Sequence, residues 1–339
     1  MNICDPIAVV EAAYRLDCGE EEWIHGLATT ARPLLQGTSL FSFTYLLQPG
    51  RRAVWLSRYF SDQTQIEVAQ SILASMSPAA HQRLFSSAEP LMTLGEDADA
   101  RCRSHFQRHV SPLGVADSII VVAFDPSGAG VVLGTSLPRT AHATRPDRQR
   151  WRFLAAHIAA GLRLRRRLQE AAAAEEIDAV LTPSGQCVFA RGAVKAPSVR
   201  DRLRRAALQI DSVRCRKGRA EPEEALSIWR ALVVGRWSLV DRFEKDGRRY
   251  IIARRNEPRF ADPRGLSQRE RQVAAYAALG HSNKLISYCL GLSPSTVATH
   301  LARALRKLGL GSRVEVVREL RPVARSLLAV QTPDRRSTK

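Results

Sequence analysis

Between Leu266 and Arg313 helix start and stop signals are spaced so closely that only short helices fit. Ser267 followed by Glu270 is a capping box, in which the two residues satisfy each other's free backbone N–H groups. Gly280 stops that helix, a second runs from about Asn283 to Leu290, and Gly291 ends it. Ser293 caps a third helix with Pro294 at its first position, where a missing N–H costs nothing. Along it Val297, Leu301, Leu305 and Leu308 recur at helical spacing and define one apolar face. Ser295, Thr296, Ala298, Thr299, Arg303 and Arg306 occupy the opposite face. A fourth helix starts at Ser312, with Glu315 completing a second capping box. Two short helices joined by a Gly-containing turn, the second with a small-polar and basic outer face, are what a helix-turn-helix requires. Periodicity alone leaves a fragment of an ordinary four-helix bundle equally open.

The residues at these positions go further. Leu266-Ser-x-Arg-Glu-x-x-Val273, Gly280, Ser282-Asn-Lys284, Ile286, Leu290-Gly-Leu-Ser293, Thr296-Val297, His300-Leu301, Arg306-Lys-Leu-Gly309 and Ser312-Arg313 stand at matching spacing. They closely resemble the C-terminal DNA-binding domain of the LuxR (LuxR/NarL/FixJ-type) family, over about a seventh of the chain. The resemblance implies an all-α four-helix domain whose third helix enters the major groove, often dimerising through the fourth. It implies that Ser295, Thr296, Thr299 and Arg303 reach into or beside the groove. It places Lys284, Ser293, His300 and Lys307 at phosphate or packed at its edge, with a helix-packing role for His300 equally open. A merely solvated Lys284 is the competing reading, and Cys289 is expected in the core. Two positions depart from the family pattern. Leu285 stands where an acidic residue is common, so the second helix loses a capping partner or gains an apolar contact. Ala298 stands where lysine is common, so site preference should differ from that of relatives.

Composition agrees with a polyanion partner. Lys and Arg number 51 against 33 Asp and Glu, a formal charge of +18, which draws the chain toward nucleic acid or an anionic membrane face. An arginine-rich compositional bias is the alternative source of that surplus. Cys4, Cys18, Cys102, Cys187, Cys215 and Cys289 are scattered, with no C-x-x-C pair and no zinc spacing. Free thiols in a reducing compartment follow, and neither metal nor cofactor is expected. Met1–Arg15 lacks a basic n-region and an apolar h-region, and no window approaches the ~20 apolar residues of a membrane span. A cytoplasmic protein without membrane attachment is expected.

The remaining sequence divides by texture. Residues 1–168 read as an α+β domain: a helix over Ile7–Leu35, strands at Ser39–Leu47 and Ala53–Tyr59, and a helix over Ser61–Phe85. A hairpin at Ser118–Phe124 and Gly130–Ser136 follows, then a long basic helix over Gln149–Glu176. That element order resembles a GAF-type sensor domain. Residues 178–256 form a smaller α+β unit, with two short strands in Asp178–Ala190, helices at Ser198–Val213 and Pro222–Leu232, and strands at Trp237–Glu244 and Arg248–Arg254. Lys245-Asp-Gly247 between the last two supports a tight turn. The unit resembles a shortened PAS-type sensor. Residues 257–265 read as a linker, 266–325 as the DNA-binding domain, and 330–339 as a disordered tail.

The whole predicts a multidomain, one-component regulator that is not an enzyme. Its partners are double-stranded DNA, a second copy of itself, a small-molecule or protein signal at the N-terminal region, and RNA polymerase. A phosphoacceptor receiver domain, the acyl-homoserine-lactone-binding domain of quorum-sensing relatives and a Walker-type phosphate loop are all missing from the sequence. Two alternatives compete. One is a nonspecific nucleic-acid or protein-interaction module that uses the basic runs Arg163–Arg167 and Arg200–Arg219, although solvated surface is the simpler reading of both. The other is a redox- or ligand-sensing, enzyme-like front domain. It rests on Cys102 between Arg101 and Arg103, with His105 and His109 at i, i+4.

Overall fold

The computed structural model describes residues 5–37, 39–47, 53–76, 81, 84–85, 89–98, 100–170, 177–243, 248–258, 266–318 and 320. Of the linker reading at 257–265 only Glu257 and Pro258 are among them, and the tail reading at 330–339 lies outside them.

The first domain is built on one antiparallel sheet. Its strands are β1 (Phe41–Leu46), β2 (Val54–Phe60), β3 (Leu91–Thr93), β4 (Asp117–Phe124) and β5 (Ala129–Leu137), in the order β2-β1-β5-β4-β3. The β4–β5 hairpin pairs Asp117 with Leu137 through to Phe124 with Gly130. Successive side chains on a strand point to opposite faces, and here both faces are covered, which is why these strands are apolar at nearly every position. Val121, Ala123, Val131 and Leu133 face α1 (Pro6–Ala13), α2 (Glu20–Leu35) and α5 (Arg145–Glu170). Phe41, Phe43, Ile120, Val122 and Val132 face α3 (Gln63–Ser75) and α4 (Ala100–His109).

The expected single helix over Ile7–Leu35 is two. The chain leaves helix after Ala13, and Trp23 donates its indole N–H to the Ala12 and Ala13 carbonyls that end α1. Arg165 of α5 donates to the Arg15 and Cys18 carbonyls of the connection, at 2.5 and 2.6 Å. The helix expected over Ser61–Phe85 ends at Ser75, and the three-residue β3 is an addition.

The second unit carries β6 (Ile177–Leu181), β7 (Cys187–Ala190), α6 (Pro197–Arg214), α7 (Pro222–Ile228), β8 (Trp237–Phe243) and β9 (Arg249–Arg255). Its sheet order is β7-β6-β9-β8. Leu203, Ala207, Ile210 and Val213 of α6 share one apolar cluster with Leu154 and Ile158 of α5. The two front units are therefore joined by a common core rather than strung on a linker. Ion pairs close the seam: Arg219 engages Asp5 and Glu11, and Arg214 engages Glu11 and Asp241.

This overturns the solvated reading of the first basic run. Arg165 is buried, and Arg163 reaches Asp125 at the β4–β5 turn and both oxygens of Asn256 after β9. Much of α6 keeps the solvated character expected of it, with Arg200, Arg202, Arg204 and Arg205 exposed.

The C-terminal unit is all helical: α8 (Gln268–Ala278), α9 (Asn283–Leu290), α10 (Pro294–Leu308) and α11 at 313–318. Val273, Ala277, Ile286, Leu290, Val297, Leu301 and Val316 form its core.

Candidate nucleic-acid interface

Each helix of the C-terminal unit begins on a side-chain cap. Ser267 accepts from the Glu270 N–H, and Glu270 accepts from the Ser267 N–H at 2.8 Å, so the capping box is complete. Ser282 accepts from the Leu285 N–H and Ser293 from the Thr296 N–H. At α11, Ser312 accepts from the Glu315 N–H, while the Glu315 carboxylate accepts from the Gly311 N–H. Caps of this kind are each worth about 1 kcal/mol, so helices this short hold their ends in register. The Arg313 guanidinium donates to Asn283 at 2.7 Å and ties α11 to the start of α9.

The outer face of α10 is open. Ser295, Thr299 and Arg303 are exposed, with Ala298, Ala302 and Arg306 beside them, and Thr296 is half-buried. The Ser293, Ser295 and Thr296 hydroxyls cluster within 2.8 Å at the start of the helix. Thr299 turns its hydroxyl back to the Ser295 carbonyl at 3.0 Å. Lys284, at the start of α9, is exposed. The remaining two sites of the expected set have neighbours within the fold. His300 is half-buried against α8, and burial holds its pKa below the usual imidazole value. Lys307 donates to Glu270 at 2.7 Å, linking the end of α10 to the start of α8. That contact, with the Ser267 N–H, pulls the Glu270 carboxyl down to about 2.

A second set of contacts, invisible in the sequence, docks this unit onto the front half. Tyr288 of α9 stacks on Phe153 of α5 with ring centres 4.2 Å apart. Its hydroxyl lies 2.8 Å from the Leu226 and Trp229 carbonyls and from His157 Nε2. His157 Nε2 is 2.7 Å from the Trp229 carbonyl, and Nδ1 is 3.1 Å from the Tyr14 hydroxyl. The set closes with Nε2 protonated and donating to Trp229, Nδ1 accepting from Tyr14, and Tyr288 donating to Leu226. Arg269 of α8 donates to the Val234 and Gly235 carbonyls, which two consecutive left-handed residues turn outward. Arg230 donates to the Leu292 carbonyl at 3.0 Å.

Leu285, the departure from the acidic family residue, is buried here and lines a small cavity with Phe124, Arg152, Ala156 and Cys289. Its apolar side chain thus belongs to the docking surface, and Ser282 alone caps the helix. Cys289 sits in the core as expected, its thiol pushed up to about 12 by burial. Cys102 is buried in the apolar cluster with Phe106 and Val110, and His105 bonds Ser71 at 2.9 Å. Among the described residues no group of three His, Cys, Asp or Glu side chains is placed to hold a metal ion.

Two buried histidines in the docking seam should make it sensitive to acid. Burial lowers His157 to about 4; burial and the neighbouring Arg313 and Arg152 lower His281, in the same seam, to about 4. Their ordinary value is about 6.5, so the unfolded chain takes up protons first as pH falls. Stability contributed by the two neutral rings should be complete above about pH 6.5 and fall progressively toward pH 4. Melting temperature measured across this window should drop in the wild type and drop less in His157→Gln; equal slopes would contradict the assignment.

The comparisons with known proteins bear on the same helices. Residues 264–320 match the family model for bacterial regulatory proteins of the luxR family. Transcriptional regulatory protein FixJ of Azorhizobium caulinodans is 48% identical over 54 residues, 16% of this chain and 26% of that protein. Transcriptional regulatory protein UhpA of Escherichia coli is 47% identical over 55 residues, 16% of this chain and 28% of that protein. The chain thus spans only about a quarter of the length of the curated relatives it matches. The C-terminal unit is a luxR-family helix-turn-helix domain. A solved structure of SdiA in complex with octanoyl-rac-glycerol aligns over 95% of both chains at 13% identity, with a TM-score of 0.31. A score this low carries no argument about the fold. No helix among the described residues is long and apolar enough to cross a membrane.

Proposed function

We propose that this chain is a cytoplasmic one-component transcription regulator, which binds specific duplex DNA as a homodimer and takes its signal through the front half. The observation that carries the reading is the open outer face of α10 on a reader already docked through α8 and α9. Ser295, Thr296, Thr299 and Arg303 serve the major groove, and Lys284, Ser293 and His300 serve phosphate. Lys307 also serves phosphate or packs at its edge, with one of its donors engaged by Glu270. Val314 on α11, 76% exposed, offers an apolar contact for a second copy. The first domain acts as a GAF-like sensor and the second unit as a PAS-like one, for a small-molecule or protein signal. RNA polymerase is the downstream partner.

The reading separates two kinds of residue. Thr299→Ala should change the preferred base at one position, a contact worth about 1–3 kcal/mol of discrimination. Lys284→Ala should weaken binding equally across sequences and reduce the salt slope by about one. Binding isotherms on a panel of single-base variants at several salt concentrations check both. Wild-type behaviour of both variants on every sequence would sink the docking of α10.

A further inference from the structure

A cleft of about 500 Å³ opens between the sheet of the first domain and the helices α2 and α5. That volume lies in the range of small-molecule sites. Its apolar wall comes from Leu34 of α2, Leu91, Ile119 and Leu137 of the sheet, and Trp151 of α5. It lies on the opposite side of the sheet from the packed cluster of α3 and α4.

The segment between β5 and α5 forms the rim, and it is held in place. The buried carboxylate of Asp117 accepts from the Ala141 N–H at 3.0 Å and from the Gly95 N–H at 3.1 Å. His142 meets Glu96 at 2.8 Å. Asp147 is also engaged, accepting from the Thr144 N–H and pairing with Arg150 at 3.2 Å.

One charged group lining the cleft is left over among the described residues. Arg139 is exposed and makes no ion pair among the described residues. Trp151, 2% exposed, lines the cleft. A guanidinium above an apolar wall matches a carboxylate carried on an apolar body.

From this geometry we infer that the cleft is an effector site for a small amphipathic carboxylate. Its acid group faces Arg139, and its body lies against Leu91, Ile119, Leu137 and Trp151. The effector role rests on the regulator reading above. The coupling element is α5: Phe153 and His157, which hold Tyr288 of the reader, follow Trp151 within about 9 Å of helix.

Calorimetric titration of the full chain with benzoate, hexanoate and benzamide tests the site. At least one carboxylate should saturate at millimolar concentration, with affinity reduced about tenfold or more in Arg139→Gln. Benzamide, which lacks the charge, should bind about tenfold more weakly than benzoate. No saturation by either acid, equal binding to Arg139→Gln, or equal binding of benzamide would overturn the inference. The bound acid should also shift DNA affinity in the wild type and leave that of Arg139→Gln unmoved. A selected DNA motif without acid binding would sink the site and spare the regulator reading. Acid binding without any motif would sink the regulator reading, and with it the effector role.

Discussion

Arg163→Leu should be among the most destabilising single changes in the chain, lowering stability by roughly 3–5 kcal/mol. The guanidinium bonds Asp125, whose side chain is 1% exposed, and both oxygens of Asn256. Removing it strands a buried carboxylate at the β4–β5 turn, and the cost of that uncompensated charge exceeds the lost hydrogen bonds. Arg163 also lies beside Tyr276 of α8, so the change touches the first domain, the second unit and the reader together. Thermal unfolding should shift by on the order of 10 °C. The double change Asp125→Asn, Arg163→Leu should recover part of that loss, because the stranded charge is gone. A double variant as unstable as the sum of the two singles would contradict a coupled pair.

Gly291→Ala should release the reader from the front half. Gly291 ends α9 with φ +61°, and a Cβ there would lie 1.8 Å from the Leu232 carbonyl oxygen. Left-handed backbone costs an alanine roughly 1–2 kcal/mol, and displacing packed backbone roughly 1–3 kcal/mol more. Gly309→Ala is the control, since it shares the left-handed conformation at φ +68° and a Cβ there meets nothing within 4 Å. Hydrogen exchange should show Gly291→Ala losing protection around Leu232 and Tyr288 while the helices of the reader persist. Gly309→Ala should lose stability only. The same exchange pattern in both variants would mean that Leu232 is not a docking contact.

What the sequence discloses divides along a physical line. Ser267, Ser293 and Gly291 act through neighbours three or four residues away, so the starts of α8 and α10 and the end of α9 could be read from local order. The hairpin strands β4 and β5 were legible for the same reason, as two apolar runs joined by a short turn. The broken helix at Tyr14–Gly19 was not, because what ends α1 and orders the connection comes from Trp23 and from Arg165, 150 residues away from Arg15. The three residues of β3 carry too little pattern to mark a strand. Arginines give no hint of whether they meet water or a buried carboxylate, so Arg163 and Arg165 looked like surface. The docking of the reader rests on Tyr288, His157 and Arg269, which meet carbonyls far along the chain and follow no period. Leu285 was the one local sign of it, an apolar residue where the family resemblance calls for an acidic one. The exposure of Ser295, Thr299 and Arg303 on α10 followed from local periodicity, but the half-burial of Thr296 and the ion pair of Lys307 with Glu270 needed the fold.

The most direct test of the central claim is selection of bound duplexes from a random pool by the full chain at two salt concentrations. An enriched motif with two-fold or near-two-fold symmetry, kept at the higher salt and altered by Thr299→Ala, is the expected result. Binding that falls with salt and enriches no sequence would reduce α10 to a phosphate contact and contradict a sequence-specific regulator.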